Sequence, residues 1–144
     1  SNNILVGTDT VSPYSFAWDT TKLASGLYGL QSKAYDAVNN VGVSPIVTVT
    51  VDNTPPTVAV TGPSVTSSAR RSTLTITAAA ADNTAVAKVE FYVNGALQCT
   101  DTTSPYSCTW KVPAAFKKTY QIVAKAYDTA GNTAASPPIT ITST

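Results

Sequence analysis

The chain has no histidine, no methionine, one glutamate and two cysteines in 144 residues. Without histidine, neither a Ser-His-Asp nor a Cys-His arrangement can be assembled. Two cysteines without histidine also fall short of the four ligands of a tetrahedral zinc site. Charge is scarce and balanced, with nine Lys and Arg against eight Asp and Glu and a net charge of +1. That excludes a strong electrostatic footprint for nucleic acid or an anionic membrane surface. No apolar run approaches the roughly 18 residues of a membrane-spanning helix. The seven glycines are scattered, so no phosphate-cradling loop is present. Lacking both a starting methionine and a visible signal peptide, the chain is expected to be a processed product or an excerpt of a longer one.

What is present favours strands. Thr, Val, Ile, Ser, Tyr and Ala dominate, and nine prolines punctuate short alternating runs. Hydrophobic residues make up 43% of the chain, enough for a packed core.

Shifted by 92 positions, residues 1–52 lie on 93–144 without a gap, and 20 of the 52 pairs are identical. TDTVSPYSFAW at 8–18 becomes TDTTSPYSCTW at 100–110. Tyr28 matches Tyr120, Lys33–Asp36 matches Lys125–Asp128, and Ser44-Pro45 matches Ser136-Pro137. The repeat defines an organisation: residues 1–52 as the C-terminal part of a module, about 40 residues of which are missing at its N-terminus, and 53–144 as a complete one.

Parity places the inward positions of the complete module. Val58 and Val60 share a first strand, Leu74, Ile76 and Ala78 a second, and Val89, Phe91 and Val93 a third. Asn94-Gly95 makes a tight hairpin turn, because both residues tolerate positive φ. Leu97 and Cys99 sit on the returning strand, Cys108 and Trp110 on the next. Tyr120, Ile122, Ala124 and Ala126 follow, then Ile139 and Ile141. Seven strands of this spacing predict an all-β fold, an immunoglobulin-like antiparallel β-sandwich: one complete seven-stranded module preceded by the C-terminal part of another.

If SPYS caps a hairpin, Cys99 faces Cys108, and one module earlier Gly7 faces Phe16. An aromatic ring can cover a glycine across strands. The second copy therefore replaces a packing pair with an expected Cys99–Cys108 disulfide, which implies an oxidising, extracellular compartment.

SGLYGLQSKAYD at 25–36 resembles the penultimate strand of immunoglobulin folds, with Leu30 and Ile122 where an antibody cysteine would stand. VEFYVNGALQCTDTTSPYSCTW, AYDTAGNTAASPPITIT and VDNTPPTV resemble the bacterial Ig-like repeats of secreted and cell-surface proteins. The resemblance covers nearly the whole chain. It implies a spacer or accessory role and brings no catalytic or ligand-binding residues with it.

The incomplete copy is expected to expose Leu5, Trp18, Leu30, Val47 and Val49 on an uncovered interface. Three completions are open: an excerpt of a tandem array, strands from another chain as in a filament assembled by strand complementation, or packing on the complete neighbour. The partners are accordingly neighbouring Ig-like modules in cis or identical chains in trans. The joint VDNTPPTV, with Pro55-Pro56, favours an extended, semi-rigid connection.

Candidate sites remain. Asp9/Asp101 and Asp36/Asp128 recur in both copies, which points to turn chemistry rather than a pair of catalytic carboxylates. Asp52, Asn53, Asp82, Asn83, Asp128 and Asn132 are hard oxygen donors in loops and form the candidate Ca2+ set; no other cofactor is expected. Tyr92, Tyr127 and Tyr35 fall on outward parity and are the candidate surface for polysaccharide. Lys33 and Lys125 share that parity, poorly placed for a buried Lys–Asn cross-link. Arg70-Arg71 and Lys117-Lys118 read as solvated loops or edge protection. The expectation is a non-enzymatic extracellular structural protein for display, adhesion or assembly, with a carbohydrate-binding accessory module as the rival, and with neither nucleic-acid binding nor membrane insertion.

Overall fold

The structure, a computed structural model, describes residues 4–144. The elements among them are thirteen β-strands. The chain divides into two compact units, the first ending at Asn53 and the second running Thr54–Thr144.

The first unit holds β1 (Gly26–Leu30), β2 (Lys33–Tyr35), β3 (Val41–Val43) and β4 (Val47–Val51). β1 pairs with β4 and β2 with β3, giving two separate two-stranded sheets. The second unit holds β5 (Thr57–Gly62), β6 (Ser67–Ser68), β7 (Thr73–Ala81), β8 (Val86–Val93), β9 (Ala96–Asp101), β10 (Tyr106–Lys111), β11 (Thr119–Asp128), β12 (Thr133–Ala135) and β13 (Ile139–Ser143). Seven of these match the expected strands; Ser67–Ser68 and Thr133–Ala135 are short additions.

One sheet of the second unit runs β10-β7-β5, and the other runs β6-β13-β11-β8-β9 with β12 also on β11. The inward parity holds: Ile76, Val89, Phe91, Ile122, Ala124, Ala126 and Ile141 are fully buried, and Trp110 and Tyr120 join the same core. Both sheets contribute, so the unit is a sandwich whose alternating apolar faces meet. Trp110 and Tyr120 pack edge to face with centroids 5.2 Å apart. Asn94 (φ 48°) and Gly95 (φ 79°) make the tight turn joining β8 to β9. A bulge at Phe91/Tyr92 then lifts Leu97 off the core side, and it is exposed.

The disulfide Cys99–Cys108 is present. The hairpin invoked to pair these residues is not. β9 pairs with β8 in one sheet and β10 pairs with β7 in the other, so SPYS carries the chain across between sheets. The bond ties the edges of two facing sheets, with Cα atoms 6.0 Å apart.

The first unit repeats the second in register. Tyr28↔Val49 and Leu30↔Val47 match Tyr120↔Ile141 and Ile122↔Ile139. Lys33↔Val43 and Tyr35↔Val41 match Lys125↔Ala135 and Tyr127↔Thr133. Asn39 at φ 66° takes the place of Gly131 at φ 96°. Tyr28 donates its hydroxyl to the Ala24 carbonyl at 2.9 Å, as the tyrosine corner of Ig folds does.

Residues 4–25 contain no strand, although their counterparts include β9 and β10. The reason is pairing: β9 and β10 form on β8 and β7, which have no equivalents within 4–53. The Phe16 ring nevertheless covers Gly7, where an added Cβ would lie 2.1 Å from a ring carbon. Of the five residues expected to be exposed, Leu5 and Val47 are, at 81% and 61%. Trp18, Leu30 and Val49 are half-buried instead. The Trp18 indole closes edge-on against Tyr28, 5.6 Å away, on the face that Leu30 and Val49 share.

Candidate functional site

Alternation in β8 sends Val89, Phe91 and Val93 inward, so Lys88, Glu90 and Tyr92 share the outer face. Antiparallel register brings Lys125 opposite Glu90 and Tyr127 opposite Lys88. Glu90 Oε1 accepts from Lys88 Nζ at 2.5 Å. Its Oε2 accepts from the Tyr92 hydroxyl at 2.6 Å and the Tyr127 hydroxyl at 2.8 Å. Lys88 Nζ also lies 4.2 Å from the centre of the Tyr127 ring, and Lys125 Nζ lies 4.8 Å from it. The glutamate is thereby only 8% exposed on the outer side of a sheet.

Its hydrogen bond from Lys88, followed by that from Tyr92, holds the Glu90 carboxyl down at about 2. The same bond raises the Lys88 ammonium above its ordinary value, and the carboxylate pushes the Tyr92 hydroxyl up. Each proton is held where it is. A carboxylate fixed in its ionised form by three donors is a poor proton exchanger near neutral pH. What this cluster does is lock β8 to β11.

Tyr92 and Tyr127, singled out as outward aromatics, therefore have hydroxyls committed to Glu90. Tyr35, the counterpart of Tyr127, is exposed on β2 and belongs to the other unit. Lys88 and Glu90 were not singled out, yet period-two spacing of polar residues through VAKVEFYV, laid antiparallel on KAYD, contains the signal.

The recurring aspartates stabilise turns as expected. Asp9 accepts from the Val11 and Ser15 amides, and Asp101 from those of Thr103 and Ser107. These amides, Ser15 first for Asp9 and Ser107 first for Asp101, lower both carboxyls. Asp36 and Asp128 each bind the amide and side chain of an asparagine four residues on, Asn40 and Asn132.

The calcium candidates divide between the units. In the first, Ser25 Oγ donates to Asp52 Oδ1 at 3.3 Å, and the Asn53 amide group donates to the Thr20 and Leu23 carbonyls. In the second, Asp82 Oδ2 accepts from the Thr84 and Ala85 amides. Asn83 Nδ2 donates to the Thr84 hydroxyl. One oxygen each of Asp82 and Asp128 lie within 4.8 Å of each other. Asp82 Oδ1 is buried and has no hydrogen-bond partner. An orphaned carboxylate oxygen beside a second carboxylate fits a hard cation of the calcium kind, although Asp128 already accepts three N–H groups.

An open groove of about 380 Å³ runs beside Trp110 and Tyr120, with Asn94, Gln98 and Lys111 on its walls. Both rings belong to the buried core, so neither presents a free face for stacking a sugar. Of the basic dipeptides, Arg70 and Lys117 sit over the exposed Phe116 ring, at 5.1 and 5.3 Å from its centre. Among the described residues no helix is long and apolar enough to cross a membrane.

In the second unit, two facing β-sheets around a core of alternating apolar residues define an immunoglobulin-like β-sandwich. Residues 56–124, within the second unit, match the family model of the bacterial Ig domain. That segment belongs to the bacterial Ig-like domains, families that are generally non-catalytic. Among solved structures, the chain is similar to the fibronectin(III)-like modules of Clostridium thermocellum CbhA. The identity is 28% and the TM-score 0.54, over 96% of this chain and 70% of that one. No curated protein matches.

Proposed function

We propose that the chain is a non-catalytic structural repeat of a bacterial secreted or cell-surface protein, supporting spacing, display or assembly. The observation that carries this reading is the recurrence of one module design, with the same strand registers and aspartate turns at a shift of 92 residues. Several side chains that sequence alone offers as sites are used structurally: Asp9, Asp36, Asp101 and Asp128 close turns, and Tyr92 and Tyr127 hold Glu90. The Cys99–Cys108 disulfide supports an oxidising compartment outside the cytoplasm. Pro55-Pro56 supports a semi-rigid spacer.

The test is thiol labelling and external proteolysis on intact cells of the source organism. Cys99 and Cys108 are expected to resist alkylation until a reductant is added, and added protease is expected to remove the module. A protein with reduced thiols that is released only on lysis would overturn the extracellular reading.

A further inference from the structure

Five cations of the second unit gather at one end of its sandwich. Arg70 and Arg71 precede β7, Lys117 and Lys118 precede β11, and Lys111 ends β10 opposite Thr73. Backbone hydrogen bonds join these segments. The Arg71 amide donates to the Val112 carbonyl at 2.9 Å. The Arg70 and Lys117 amides donate to the Thr144 and Ser143 carbonyls at 3.1 and 2.9 Å. The two basic dipeptides, far apart in sequence, are therefore neighbours in one cluster of loops. All five cations are exposed, and among the described residues none of them enters an ion pair. The acids of the unit lie elsewhere. Asp82 and Asp128 stand together at the far ends of β7 and β11. Asp101 accepts turn amides where β9 ends, and Glu90 is taken by Lys88.

The repeat supplies a control. Lys111, Phe116, Lys117 and Lys118 stand where the first copy has Asp19, Ala24, Ser25 and Gly26; Lys22, matched to Ala114, runs the other way. The module design thus does not require this charge. The cations also strain the backbone. Among the described residues, the non-glycine positions with positive φ are Asn39 and Asn94, a residue type that tolerates it, and Arg71 and Lys117, at 63° and 53°. A charged side chain kept where glycine would sit more easily points to a use for the side chain. Phe116, 59% exposed, restrains two of the cations: Arg70 and Lys117 lie 5.1 and 5.3 Å from the centre of its ring. Long side chains held in this way lose less freedom when an anion binds.

We propose that this end of the second unit, with Arg70, Arg71, Lys111, Lys117 and Lys118 around Phe116, binds the carboxylates of an acidic polysaccharide. The arginines offer forked donors that match carboxylates in pairs, and the lysines add charge. Nucleic acid fits less well. A ring engaged by two cations is a poor platform for stacking a base, and a net charge of +1 leaves no wider basic surface to track phosphates. The choice of polymer rests on the extracellular reading above.

The probe is polygalacturonate, a polymer of uronic acid, titrated calorimetrically against the intact chain, with its methyl ester and a single-stranded DNA oligonucleotide alongside. Saturable binding to the acid is expected, weakening as salt is raised and absent for the ester. Arg71→Gly with Lys117→Gly removes two cations at positions whose backbone suits glycine, so this double variant keeps the fold. It is expected to bind about tenfold more weakly. Lys22→Gln with Lys33→Gln removes the same charge from exposed positions of the first unit and is expected to bind as the wild type does. No saturable binding, equal binding of the ester, or tighter binding of the DNA would overturn the proposal. So would unchanged affinity in the glycine variant, or an equal loss in the two double variants. None of these results bears on the compartment, which the labelling in cells decides separately.

Discussion

Tyr127 donates its hydroxyl to Glu90 Oε2 across 2.8 Å, joining β11 to β8 on the outer side of the larger sheet. The same carboxylate takes Lys88 and Tyr92, and its folded-state value falls to about 2. A carboxyl depressed on folding stabilises the fold above its unfolded value, about 4.3, and loses that contribution as pH falls toward its folded value. Glu90→Gln is therefore expected to destabilise the second unit by about 1.5–3 kcal/mol at pH 7, the range for hydrogen bonds to charged groups. The difference should shrink between pH 4.5 and about pH 2, as the wild-type carboxylate gains its proton. Thermal melts of both proteins across that window test this; a constant difference would mean that the charge contributes nothing.

The cross-sheet disulfide closes a short loop, with nine residues of separation. The chain-entropy account assigns such a loop about 2–3 kcal/mol. Replacing both Cys99 and Cys108 by alanine should lower the unfolding free energy of the second unit by that amount, read as a lower midpoint in denaturant unfolding. The first unit uses Gly7 and Phe16 at these positions, so its stability should not respond to reductant.

The fold was legible because burial in strands follows parity, and parity is printed in the residues. Val89, Phe91, Tyr120, Ile122 and Ile141 could all be placed inward from alternation alone. The sheet to which each strand belongs is not a local property. SPYS reads equally well as a hairpin cap or as a crossing between sheets, and only the partners of β9 and β10 distinguish them. The disulfide could be anticipated because both geometries bring the two cysteines together. The Glu90 cluster was missed for a related reason: its members lie on two strands, and neither strand alone shows a buried charge. Asp82 and Asp128 were marked as donors, but their proximity depends on how the loops after β7 and β11 meet.

Ile122 and Leu30 occupy one position of the repeat in two settings. Ile122 is fully buried on a strand flanked by β8 and β13, while Leu30 is half-buried on a two-stranded pair. Ile122→Ala should cost about 2–5 kcal/mol, as large-to-small changes in closed cores do. Leu30→Ala should cost about 1 kcal/mol or less, because little apolar area is removed from water there. Native-state hydrogen exchange gives the same contrast without mutation, with slow amides expected through 119–126 and fast ones through 27–35. Equal protection in the two stretches would show that the first unit is stabilised by contacts beyond its own strands.

Asp82 presents a buried oxygen without a partner, and an oxygen of Asp128 lies within 4.8 Å of one of its own. Two carboxylates that close repel each other, and a buried acceptor without a donor is costly. Either a bound cation or removal of one charge relieves both problems. With EDTA present, Asp82→Asn should melt at or above the wild-type temperature, since the amide keeps an oxygen for the Thr84 and Ala85 amides. With millimolar calcium, proposed as the cation, the wild type should gain several degrees, because a ligand at ten times its Kd adds about 1.4 kcal/mol. The asparagine variant should not respond. A wild-type melting temperature identical in calcium and in EDTA would remove the ion and leave the aspartate pair as a plain destabilising feature of the loop. A calcium response shared equally by the variant would move the ion to other donors.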